Sequence, residues 1–173
     1  MSTAFFSFIS LALFMLHEFD ELVFIRPWIR AQGENPAYQA ELFISGKAHY
    51  RSTEGIALMI GEEFLLASLL LAAASFFAIP ELAAALVIGH LLHLLVHIKE
   101  IGRYRRFTPG SFTALVTFPL VSFCLLIFWR HHQINYLWLL IMTPLVLALL
   151  LVNLSFLHRR ASRVDAWINH FVS

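Results

Sequence analysis

Residues 56–79 read IALMIGEEFLLASLLLAAASFFAI, a stretch long and apolar enough to cross a bilayer as one helix, yet Glu62 and Glu63 stand side by side inside it. Ionisable side chains are costly in hydrocarbon, so each needs a partner and marks a candidate site. The flanking apolar runs carry similar groups: His17, Asp20 and Glu21 before it, His90, His93 and His97 after it. A bound cation is the simplest partner that satisfies carboxylates and imidazoles together.

Composition points the same way. Of 173 residues, 60% are hydrophobic and 13% charged, about half the charged share of soluble proteins, and the mean hydropathy is +0.76. The net charge of +1 argues against a nucleic-acid partner. The lone Cys124 excludes an internal disulfide and a cysteine-based zinc site, and reads as a small buried hydrophobe. Met1-Ser2-Thr3-Ala4 lacks the basic start of a cleaved signal, so the run that follows is expected to stay as a helix.

The expected fold is all-α: a polytopic membrane bundle, one domain over residues 1–173, with five transmembrane helices near 4–25, 55–79, 81–101, 112–129 and 136–157. Pro80 makes the second turn very short. Thr108-Pro109-Gly110-Ser111 sets a turn in which Ser111 is placed to cap the fourth helix. Pro119 and Pro144 are expected to kink the last two. With five spans, Arg26, Arg30, Lys47, Arg51, Lys99, Arg103, Arg105, Arg106, Arg159, Arg160 and Arg163 share one side and only Arg130 takes the other. That asymmetry places the N-terminus outside and the C-terminus in the cytoplasm. The long first loop, 26–54, contains Trp28 and Tyr38, which suit the headgroup layer, and is expected to hold an interfacial helix.

Depth sharpens the metal idea. Counting 1.5 Å per residue from the cytoplasmic ends, His17 and His93 lie about 12 Å in, Glu62 and Glu63 about 10–12 Å, Glu21 and His97 about 6 Å, and His90 about 16 Å. Three helices thus bring their ionisable groups to one level. Facing agrees: His17, Asp20 and Glu21 follow i, i+3, i+4 spacing, and His90, His93 and His97 follow i, i+3, i+7, which Glu100 continues. Glu62 and Glu63 point about 100° apart, so one is expected to bind metal and the other to orient a histidine. The expected ligands are His17, Asp20, Glu21, Glu62, His90, His93 and His97, with Glu63 as the catalytic base. So many carboxylates fit two divalent ions, iron or zinc, better than one tetrahedral zinc.

His17-Glu18-Phe19-Asp20-Glu21 resembles the signature of HXXEE-domain proteins, a family of small bacterial membrane proteins of unassigned function. The family pattern has Glu where this chain has Asp20. His93–Ile98, Arg103-Tyr104 and Thr108-Pro109-Gly110 are similar to the family's later His and Tyr/Pro/Gly region, and Glu62 to an intramembrane acidic position. The resemblance spans roughly residues 10–125. It implies membrane helices, a bacterial cytoplasmic-membrane location and a metal site, but no substrate.

The function expected from these features is that of an intramembrane metalloenzyme acting on a lipid or other apolar molecule by oxidation or hydrolysis, with the abundance of carboxylates favouring di-iron oxidation. The alternative is a metal- or proton-coupled carrier using the same residues. The small size and lack of internal repeats weigh against a carrier. Haem bound by His17 and His93 would leave the adjacent glutamates without a task.

Overall fold

The computed structural model describes residues 1–32, 35, 38 and 52–172. They form five helices and, among the described residues, no strand: α1 (Thr3–Gln32), α2 (Thr53–Phe76), α3 (Pro80–Tyr104), α4 (Ser111–His131) and α5 (Tyr136–Val172). Four of them, α2 to α5, are long and apolar enough to cross a membrane. The first expected span, 4–25, lies inside α1, whose apolar surface is interrupted by His17, Glu18, Asp20 and Glu21.

The helix ends follow local chemistry. Ser52 caps α2 by accepting from the Gly55 amide at 2.9 Å. Pro80 occupies the first turn of α3, where its missing N–H is harmless. The turn between them, Phe77–Ile79, is as short as Pro80 suggested. Ser111 does not cap α4. The cap position is Gly110, with a left-handed φ of 77°, and the Ser111 hydroxyl instead bonds the Thr108 amide and carbonyl at 2.8 and 2.7 Å. The helices run through Pro27, Pro119 and Pro144.

Two ends differ from expectation. α1 continues past residue 25 to Gln32. α5 continues fifteen residues past 157 because Leu157, Ala161 and Asp165, spaced by four, keep one face buried after the hydropathy has dropped. Asp165 also accepts a hydrogen bond from the capping Ser52 hydroxyl, which fastens the α5 tail to the start of α2. An interfacial helix around Tyr38–Ile44 lies outside the described residues apart from Tyr38.

α3 is the central helix, packed on α2, α4 and α5. Ala83, Ala84 and Ala85 are fully buried there, and such small side chains let membrane helices approach closely. The main core runs through Phe6, which stacks on Phe128 at 4.1 Å, and through Leu71, Leu94 and Val121. A second cluster joins Ile25 of α1, Ile56, Met59 and Ile60 of α2, and Leu157 and Ala161 of α5. The end of α1 thus meets the start of α2 and the later half of α5, which is the antiparallel alternation of a bundle.

Candidate metal centre

Two helices supply one pair each. On α1, His17 and Glu21 are one turn apart; on α3, His93 and His97 are one turn apart. Their ligand atoms all lie within 4.8 Å of one another. His93 Nε2 lies 3.1 Å from His17 Nε2 and 3.2 Å from His97 Nε2, and Glu21 Oε1 lies 2.8 Å from His97 Nε2. Ligand atoms about 2.0 Å from one tetrahedral ion stand about 3.3 Å apart, so this spacing suits a single cation. His17 is completely buried and His97 nearly so, while the His93 side chain is 41% accessible and forms the open side of the group.

Hydrogen bonds behind the rings decide which nitrogens face inward. The Pro109 carbonyl, an acceptor only, lies 3.1 Å from His97 Nδ1, so that nitrogen carries a proton. The Thr113 hydroxyl donates to Asp20 Oδ2 at 2.9 Å, so it accepts from His17 Nδ1 at 3.2 Å. When neutral, both imidazoles therefore turn Nε2 lone pairs toward the centre, where the Glu21 carboxylate also points. Converging acceptors need a cation or a shared proton between them. Partners on the outer nitrogen are the arrangement that orients metal-binding histidines.

The backbone after α3 closes one wall. Gly110 needs its left-handed φ, and a Cβ there would lie 2.9 Å from His17 Cε1 and 3.0 Å from Glu21 Cγ. Only a glycine lets the chain pass this close to the site. Glu100 stands behind His97, 3.6 Å from Nδ1, and accepts from the Thr108 hydroxyl at 3.1 Å.

The remaining expected residues take other places. Asp20 accepts from the Thr113 amide at 3.2 Å as well as from its hydroxyl, so its carboxylate faces the start of α4 and lies outside the group of four. Glu62 accepts from Asn153 Nδ2 of α5 at 2.8 Å. His90 has a buried Nε2 without a hydrogen-bond partner, its ring edge-on to Phe14 at 5.6 Å and 6.2 Å from the His17 ring. Glu63 is an electrostatic neighbour of Glu18 and Glu21. Glu18 escaped the sequence reading: its side chain is only 5% accessible, and Oε1 sits 3.9 Å from His93 Nε2. Its i, i+3 relation to Glu21 was the available signal. Thr113 and the Pro109 carbonyl carry no ionisable group, and nothing local in the sequence marks them.

Apolar helices holding a partly buried three-histidine, one-glutamate group define an integral membrane protein with a candidate metal site. More particularly, the chain belongs to the family described as proteins of unknown function with an HXXEE motif, whose model matches residues 8–125. The match takes in all four members of the group, and the motif falls on His17, Asp20 and Glu21, with aspartate at its first acidic position. Neither the comparison with curated proteins nor that with solved structures gave a match.

Proposed function

We propose that this protein is a five-span membrane metalloenzyme whose cation is held by His17, Glu21, His93 and His97, and whose substrate is a lipid or another apolar molecule. The observation that carries this reading is the inward convergence of the His17 and His97 Nε2 atoms on a carboxylate, each ring being fixed from behind. Three imidazoles and one carboxylate suit zinc and iron alike. Bound there, such a cation supplies Lewis acidity for hydrolysis or, as iron, redox chemistry for oxidation. The open His93 side is where a substrate would approach, and Glu63, an electrostatic neighbour of Glu18 and Glu21, would be the proton acceptor. A second cation would need ligands beyond the group of four, and Glu18 and Glu63 are the carboxylates positioned to supply them.

The fifth span in this reading is α1, and the eleven-to-one distribution of Lys and Arg supports an outward N-terminus and a cytoplasmic C-terminus. The metal would then lie in the cytoplasmic half of the membrane.

The test is elemental analysis of the purified protein, with His97→Ala and Glu63→Gln beside it. The expected result is one or two irons or zincs per chain, lost in His97→Ala, while Glu63→Gln keeps the ion held by the group of four. A proton-only arrangement also satisfies the geometry, with a doubly protonated His97 paired to Glu21 and His93 donating to His17. Metal-free protein that takes up no added iron or zinc would establish that arrangement, and the same groups would then serve a proton-coupled carrier.

A further inference from the structure

A cleft of about 510 Å³ lies behind the closed wall of the metal group, between α1 and the turn leading into α4. Phe24 and Trp28 of α1 line one side, and Phe107, Pro109 and Phe112 the other. Its one acid, Asp20, is engaged by the amide and hydroxyl of Thr113, so the accessible lining is aromatic and apolar. At its rim the Arg106 guanidinium stands 4.9 Å from the Trp28 ring centroid, and exposed Arg105 precedes it. Among the described residues, no carboxylate pairs with Arg106. An apolar slot with an unneutralised cationic rim is complementary to a molecule with a hydrocarbon body and an anionic head. The rim belongs to the arginine-rich side of the bundle, where a membrane presents its anionic lipids.

We propose that the Trp28–Phe112 cleft binds an anionic phospholipid, its acyl chain between Phe24, Trp28, Phe107 and Phe112 and its phosphate at Arg105 and Arg106. This rests on the membrane reading of the chain and not on the metal. Trp28 is amphipathic and suits the depth where chain meets headgroup. The Arg106 guanidinium carbon stands over the Trp28 ring at 4.9 Å from its centroid, within cation–π reach, and a guanidinium's N–H fork matches a phosphate.

The experiment is tryptophan quenching in detergent micelles, titrating phosphatidylglycerol brominated on its acyl chains against phosphatidylcholine brominated identically. Trp28→Phe subtracts the signal of Trp129, Trp138 and Trp167. The expected result is a Trp28-dependent component that half-quenches at lower phosphatidylglycerol than phosphatidylcholine, with the preference falling about fivefold in Arg106→Gln. Metal content, measured on the same samples, should stay unchanged in Arg106→Gln, so failure here is separable from failure of the metal reading. Equal quenching by the two lipids, or none that depends on Trp28 (the result if another segment of this chain fills the cleft), would overturn the proposal. So would competition by soluble glycerol phosphate at equal concentration, which would mark a phosphate site rather than a lipid site.

Discussion

Asp20 of α1 caps α4 from outside that helix: its Oδ2 accepts from the Thr113 amide at 3.2 Å and from the Thr113 hydroxyl at 2.9 Å. Thr113 is the third residue of α4, whose amide an N-cap side chain ordinarily satisfies, and the cap residue here is Gly110, which has no side chain. The carboxylate therefore joins two helices and, through the same hydroxyl, fixes the His17 ring. Asp20, the motif's first acidic position and the one where this chain departs from the family pattern, thus acts on the metal group through Thr113, two hydrogen bonds away from the His17 ring.

Removing that carboxylate should separate two effects. Asp20→Ala leaves the Thr113 amide without its cap and should lower stability by about 1 kcal/mol. It also leaves the Thr113 hydroxyl with only the Gly110 carbonyl, 3.1 Å away, to orient it toward His17, and disturbing such an outer partner lowers metal affinity by about 10–100-fold. Chelator competition reads the second effect and thermal unfolding the first. Unchanged affinity in a folded Asp20→Ala protein would show that the His17 ring is held by packing alone.

Glu62 and Glu21 make a second contrast. Both are intramembrane acids, but Glu62 accepts from Asn153 while Glu21 faces His97. Glu21→Gln is expected to lose the metal. Glu62→Gln should keep it, and Glu62→Ala should lower stability by about 1.5–3 kcal/mol through the unpaired Asn153. A double-mutant cycle with Asn153→Ala should give a coupling within about 0.5–3 kcal/mol. Loss of metal in Glu62→Gln would place that carboxylate in the centre instead.

The α5 tail offers a test far from the site. Ser52 caps α2 and donates to buried Asp165. Ser52→Ala should cost about 1 kcal/mol, and Asp165→Asn should be non-additive with it. Additive losses in thermal unfolding would mean that the tail is not coupled to the cap.

How much of this was legible in the sequence depends on the kind of signal. Apolar runs locate α2 to α4 and the start of α5 to within a few residues, because span length and Pro and Gly punctuation act locally. They end α5 at 157, since the Leu157, Ala161 and Asp165 face is buried by tertiary contact with α2 rather than by lipid. Helical spacing places His17 with Glu21 and His93 with His97 on shared faces, and the structure brings those two faces together. Spacing cannot say which neighbour each further acid meets. Asp20 lies on the motif face yet turns to Thr113, ninety-three residues away, and Glu62 turns to Asn153, ninety-one away. The partners that orient the rings, a hydroxyl and a backbone carbonyl, have no ionisable signature at all.

Gly110 gives the sharpest structural test of the group of four. Its φ of 77° costs an L-residue about 1–2 kcal/mol, and an added methyl would press on His17 Cε1 and on the Glu21 side chain together. Neither neighbour can yield freely, since His17 is tied to Thr113 and Glu21 to His97. Gly110→Ala should therefore lower stability by about 1–3 kcal/mol and, in the protein that remains folded, weaken metal binding more than tenfold by moving two ligands at once. Gly102→Ala is the control: a methyl there meets nothing within 4 Å, and inside α3 it should be neutral or stabilising by up to about 1 kcal/mol. Metal affinity by chelator competition on both variants decides the matter. A Gly110→Ala protein that binds metal as the wild type does would mean that the wall at residue 110 is not in contact with the centre.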